Sequence, residues 1–270
     1  MTTVSDILQY LLTLAPAYMK AGDWDPIGLN CGHTDAPVTT VLVALDPFSE
    51  AIEEACAVGA ELLLTHHPLL FDSTNFVTDQ TNQGKQALHL IENRIAHICA
   101  HTNLDCAPGG VNDCLASTLG LRNISIINPI TTNDGISYGL LRKGTVTEQT
   151  ISHFLSHIQN ILHTPGIRYV GEKTVNNVAV GGGACGSELL AAYRAGCDTF
   201  VTADVKYNQF RDAYDLGMNL IDAGHFFTEL PVCKYLASQI SSAFPDVKVI
   251  ISKTQADPTK FFAQNIDFQP

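Results

Sequence analysis

Apolar positions along this chain fall into two kinds of stretch. In residues 5–19 they recur every three to four positions, as in an amphipathic helix. By contrast, "TVLVALD" (40–46), "ELLLTHH" (61–67) and "IAHICAH" (95–101) are short, nearly continuous apolar runs of the kind that fill both faces of a parallel sheet. Helical spacing returns between them in "SEAIEEACAVGA" and around 84–94, and paired glycines introduce another helix in 109–120. Past residue 123 the texture changes. Short β-like pieces at 138–144, 166–171 and 175–183 flank a helix expected over 148–162. A helix at 187–195, the strand "DTFVTAD" (198–204), a helix to about 216, "MNLIDAG" (218–224), a helix from about 229 and a last strand in "VKVIIS" (247–252) complete the pattern.

Strands alternating with helices predict an α/β fold: two α/β lobes with mixed, largely parallel sheets flanked by helices. The change of texture near 125–145 sets a soft boundary, with residues 1–125 as the first lobe and 126–270 as the second; one intertwined domain is the alternative.

Composition narrows the function. The chain is 46% apolar and 16% charged, as expected of a soluble globule, with a net charge of −12 from 27 acidic and 15 basic residues. That balance argues against a broad nucleic-acid footprint, and a phosphorylated substrate would need local help such as a metal ion. No apolar run approaches the roughly 18 residues of a membrane span, and "MTTVSDILQY" has no basic region ahead of an apolar core. The expectation is a cytoplasmic protein. Its eight cysteines contain no CxxC and are read as reduced thiols, mostly small core residues.

Candidate chemistry lies in three clusters: His66 with His67, His101 with Asp105 in "HTNLD", and His225 with Glu229 in "GHFFTE". Each directly follows a predicted strand, and in open α/β sheets ligands gather outside the carboxyl ends of strands. A lone histidine in such a place is more often structural; the joint pattern carries the argument. Imidazole and carboxylate suit Zn, Mn, Fe, Co or Ni, and the absence of cysteine argues against a closed structural zinc site. Such a set exceeds the need of one open tetrahedral ion and suits two ions bridged by a carboxylate. Pro231 is expected in a first helical turn, with Thr228 as N-cap and Glu229 just inside, which leaves His225 in the loop.

Rival signals are weaker. "GGGACG" (181–186) spells G-x-G-x-x-G between a strand and a helix, with Asp204 ending the next strand. That is the form of a dinucleotide fingerprint and would suit an NAD-dependent oxidoreductase, but it leaves the three clusters without a purpose. A tight turn, or a cradle for a substrate phosphate or carboxylate, are its other readings. His153 and His157 lie opposite the apolar stripe of their helix and should face solvent. Lys206 and Tyr207 could touch an anionic substrate, and Asp25 and Asp46 are weak site candidates.

Together, "WDPIGLNCG", "LLLTHHPLLF", "AHTNLDCAPGGVNDCLA", "TADVKYNQFRDA" and "DAGHFFTELPV" resemble the GTP cyclohydrolase I type 2 homologues, the dinuclear-metal Nif-three-like proteins, over about residues 4 to 252. The resemblance implies a Nif-three-like fold, a toroidal homohexamer and two divalent metal ions per subunit at a site facing the ring interior. It makes His66, His67, Asp105 and His225 metal ligands and Glu229 their bridge. His101 matches a position beside the site rather than a usual ligand, and is the candidate catalytic group for proton transfer. Pro26 stands where the family often has Asn, and there is no room for the middle insertion of longer members; neither departure touches the proposed ligands. The implied function is metal-dependent hydrolysis of a small-molecule substrate, a nucleotide such as GTP among the candidates. A non-catalytic, metal-binding ring that holds a partner is the alternative.

Overall fold

Residues 1–262 are described by the structure, a computed structural model. The first half of the chain runs α1 (Val4–Leu14), β1 (Gly28–Cys31), β2 (Thr40–Ala44), α2 (Ser49–Val58), β3 (Leu62–Thr65), α3 (Asn82–Glu92), β4 (Ala96–Cys99), α4 (Thr102–Cys106) and α5 (Val111–Thr118). The second continues with β5 (Arg122–Ile126), a small hairpin of β6 (Ile130–Thr131) and β7 (Ser137–Tyr138), then β8 (Arg142–Gln149), α6 (Ile151–Leu162), β9 (Arg168–Val170), β10 (Val175–Val180), α7 (Leu189–Arg194), β11 (Thr199–Thr202), α8 (Tyr207–Asp215), β12 (Asn219–Asp222) and α9 (His225–Glu229). α10 (Val232–Ala243) and β13 (Lys248–Ile251) close the chain.

The apolar runs become central strands covered on both faces. The first sheet has the order β1-β4-β3-β2-β13, with β13, β2, β3 and β4 parallel and β1 antiparallel at the edge. Side chains alternate across it. Val41, Val43, Leu62, Leu64 and Ile98 join one core with α1 and α10, while Leu42, Ala44 and Leu63 join another with α2 and α3. Each such valine, leucine or isoleucine contributes about 1.5–3 kcal/mol when fully buried. In the second sheet, β5-β8-β10-β11-β12-β9, the three strands β10, β11 and β12 are parallel. There Val178, Val180, Val201 and Ile221 pack with α5 and α6, and Ala179, Phe200 and Leu220 with α7 and α8.

β13 forms where the apolar pattern places it, yet it pairs in parallel with β2, opposite Val41 and Val43, and so completes the first sheet rather than the second. Local pattern shows that a strand exists; its partner depends on a crossover that pattern does not encode. The helix expected from 148 begins instead at Ile151, because Gln149 still pairs with Val175 and the Thr150 hydroxyl accepts the His153 N–H at 3.3 Å as the N-cap.

Candidate metal centre

Two sheets present the carboxyl ends of their parallel strands to one another, and the three histidine clusters sit there. After β3 the chain turns at His66 and His67. The Thr65 hydroxyl donates to the His67 carbonyl at 2.5 Å, so it accepts from His97 Nε2 at 2.7 Å. The His67 N–H bonds to the Leu45 carbonyl at 2.9 Å. This brace sets the two imidazoles 4.9 Å apart, centre to centre. After β4 comes His101, and Asp105 follows on α4. The buried Arg142 guanidinium holds the end of α4 through the Ala107 carbonyl at 2.9 Å, and pairs with Asp113 at 2.9 Å.

After β12 the structure corrects an expectation. Thr228 does not cap a helix containing Glu229. His225–Glu229 is itself a one-turn helix, and Pro231 is the N-cap of α10. Proline lacks the N–H that a continuing helix would need, so the break falls just before it and leaves a full turn upstream. Thr228 is spent elsewhere: its hydroxyl donates to the His225 carbonyl at 2.9 Å and accepts the Gly183 N–H at 3.1 Å. His225 and Glu229 therefore do share a helical face, with Nε2 and Oε2 3.1 Å apart.

Glu229 is the point of convergence. Its Oε2 stands 3.0 Å from His67 Nε2, 3.1 Å from His225 Nε2 and 3.8 Å from His66 Nε2. His66 Nε2 is also 3.5 Å from Asp105 Oδ1. Three of these buried atoms, His66 Nε2, Asp105 Oδ1 and Glu229 Oε2, have no hydrogen-bond partner in the described structure. An unpaired buried polar atom costs about 1–3 kcal/mol, more when charged, and three aimed at one point mark a place for a cation. Ligand atoms of His66, His67 and Glu229 all lie within 4.8 Å of one another, a spacing that can hold a metal ion.

The opposite ring nitrogens are all fixed. Nδ1 of His67 is 2.7 Å from Asp46, Nδ1 of His225 is 2.8 Å from Asp204, Nδ1 of His101 is 2.7 Å from Asp25, and Nδ1 of His66 donates to the Ala100 carbonyl at 2.8 Å. Such partners set the tautomer and leave Nε2 as the inward donor atom, the arrangement typical of metal-bound histidines. Burial disfavours the His67 imidazolium, but the carboxylate of Asp46, which accepts from Nδ1, and the nearby charge of Glu229 outweigh it and raise the pKa to about 10. Burial likewise opposes charge on His225, where Glu229 and Asp204 lift the value to about 9. Burial pushes Asp105 up to about 6. For Glu229 the burial penalty is overcome by the imidazoles around it, and its carboxyl stays well below the usual range. Without a cation the cluster gathers protons around a fixed carboxylate. This donor set of imidazole and carboxylate fits a divalent ion.

Asp46 and Asp25, read weakly from sequence, are the partners of His67 and His101. Asp204, the acid that ends an apolar strand run in the dinucleotide-like pattern, is instead the partner of His225. The glycine loop also belongs to this site. Gly182 N–H donates to Asn112 at 2.7 Å and Gly183 N–H to Thr228, so these amides are committed inside the protein. His153 and His157 are exposed as expected, and His157 reaches the Leu119 carbonyl at 3.1 Å. Lys206 and Tyr207 are exposed too and line neither cavity beside the cluster. The larger of these cavities, about 530 Å³, opens on His101, Asp105, His225 and Glu229. The other, about 510 Å³, reaches His67 and His225 beneath residues 256–261.

Comparison with known proteins identifies the family and the fold. The family described as Duf34/NIF3 (NGG1p interacting factor 3) matches residues 2–258. A "GTP cyclohydrolase 1 type 2 homolog" of Clostridium perfringens is 33% identical, covering 96% of this chain and 99% of its own length. A protein of the same description from Streptomyces coelicolor is 36% identical over 96% of this chain and 94% of its own. Among solved structures, a Bacillus cereus protein related to NIF3 superposes with a TM-score of 0.89 at 26% identity, covering 97% of this chain and 99% of that one.

Proposed function

The chain belongs to the Duf34/NIF3 family, and from that premise we propose that it is a metal-dependent hydrolase acting on a small-molecule substrate in the cavity beside His101. The observation that carries this reading is the set of three partnerless buried atoms, His66 Nε2, Asp105 Oδ1 and Glu229 Oε2, converging below an open cavity. His66, His67, Asp105 and His225 would hold two divalent ions, with Glu229 between them because its Oε2 is near all three imidazoles. When bound, such ions supply Lewis-acid polarisation of the scissile group and acidify water beside it.

The remaining roles fall to the chain itself. Asp46, Asp204 and the Ala100 carbonyl orient the ligand imidazoles. Asp25 holds His101 through Nδ1, which leaves Nε2 to take or return a proton on the cavity side. Burial of Asp105 and Glu229 keeps water from competing for their oxygens. The same reading carries a homohexameric ring and a cytoplasmic location; eight free cysteines support a reducing compartment.

Metal content per protomer, measured by elemental mass spectrometry on wild type and Glu229→Ala, tests the reading. Close to two ions, falling sharply in the variant, supports it. No bound metal even after reconstitution with Zn or Mn overturns it.

A further inference from the structure

The cavity over the cluster has an aromatic mouth that the ligand residues do not explain. Tyr18, Trp24 and Tyr138 line it. Tyr18 and Tyr138 meet edge to face at 5.7 Å, and Trp24 lies 5.8 Å from Phe71, whose ring stands 6.0 Å from His101. Trp24 is 57% and Tyr18 52% exposed, although the protein has ample core in which to bury such rings. The segment bearing them is tied to the site. Ala21 N–H donates to the Thr102 hydroxyl at 2.8 Å, and Asp25 binds both His101 and the Thr102 N–H. Gly22 leaves room for the indole to fold back on the chain, since a β-carbon there would lie 2.5 Å from Trp24 Nε1.

The same cavity is poor in groups that hold phosphates. Among the described residues, Lys20 is its only lysine or arginine, and Lys20 Nζ is 3.3 Å from Asp23. Glu188 faces the cavity besides Asp105 and Glu229. The Gly182 and Gly183 amides of the glycine loop are bonded internally, and the Thr102 amide at the start of α4 is taken by Asp25. From the chain's own groups a polyphosphate therefore finds neither a basic patch nor a nest of free amides at these positions, and bound ions would be its one source of positive charge there. A flat ring finds stacking faces on Trp24, Tyr18 and Tyr138.

We propose that the cavity takes a planar aromatic or heteroaromatic compound that lacks a polyphosphate, its ring held by Trp24, Tyr18 and Tyr138 and its reacting end directed at His101 and the cluster. The inference rests on the proposed function for the direction of the substrate, but ring binding itself does not need a metal. It also separates this site from the nucleoside triphosphate in the names of its relatives.

Trp24 is the only tryptophan, so its fluorescence reports the mouth directly. The full chain, metal-loaded and chelator-treated, is titrated with guanosine, GTP and ribose 5-phosphate at one salt concentration. Guanosine is expected to give a saturable change in both forms, GTP to bind about tenfold or more weakly, and ribose 5-phosphate to give none. Tyr18→Ala and Tyr138→Ala are each expected to weaken guanosine by about tenfold, the scale of one lost stacking face. Tighter binding of GTP than of guanosine, or no saturable change with guanosine, overturns the inference. Unchanged guanosine affinity in both tyrosine variants overturns it as well. Metal content is read on the same samples, so a failure of the metal reading is seen separately.

Discussion

Gly183 brings its backbone so close to Glu229 that a β-carbon at this position would overlap Oε1 of the carboxylate and stand 3.1 Å from His225 Nε2. The glycine-rich loop that mimics a dinucleotide fingerprint in sequence is thus the wall against which the central carboxylate rests. Gly183 also adopts φ +64°, where a side chain is strained by about 1 kcal/mol.

Gly183→Ala is expected to push Glu229 and His225 out of place. Metal content per protomer should fall several-fold while circular dichroism stays that of wild type, because the neighbouring core is untouched. A variant that retains wild-type metal would show that the carboxylate does not depend on this wall.

Asp46 and Asp204 hold His67 and His225 in the same way but not in the same surroundings. The Asp46 side chain is 17% exposed and Asp204 58%, so water screens the second pair far more. Asp46→Ala should weaken metal binding about 10- to 100-fold, the usual scale for a lost histidine partner, and Asp204→Ala by less. Competition against a calibrated chelator measures both. Equal, negligible effects would mean that the rings are held by packing alone. Asp46→Asn, which keeps an acceptor, should recover part of the loss.

The clustering of His66, His67 and Glu229 was legible because these candidate ligands lie just beyond the ends of their strands. An apolar run such as "ELLLT" fixes where a parallel strand ends, and a polar pair placed there has few structural uses. The partners of those imidazoles were not legible. Asp25, Asp46 and Asp204 are single acids in turns, and only the folded chain shows an imidazole within 2.8 Å of each. The edge strands β1 and β5 went unread for a different reason. "GLNC" is uniformly half-buried with no alternation, and in "RNISI" the alternation is confined to half-buried Ile124 and Ile126, too short a run to mark a strand. Thr228 misled because a threonine before a proline-started helix is a sound N-cap in isolation; here the loop of Gly183 claims its hydroxyl.

His97 supplies a pH prediction that the metal does not enter. It is fully buried on β4, its Nε2–H donates to Thr65 at 2.7 Å, and its Nδ1 has no partner in the described structure. Burial lowers its pKa from 6.5 to about 3. The unfolded chain therefore takes up this proton first as pH falls. The contribution of neutral His97 to stability is complete above about pH 6.5 and is lost progressively towards pH 3. At about 1.4 kcal/mol per pH unit of difference, the full effect is of the order of a few kcal/mol. His97→Gln keeps an N–H for Thr65 but cannot titrate. Urea unfolding of chelator-treated wild type and variant across this range should give curves that converge as pH falls, the variant losing less stability. Parallel curves would show that water or local opening reaches Nδ1 and that its proton is not excluded by the fold.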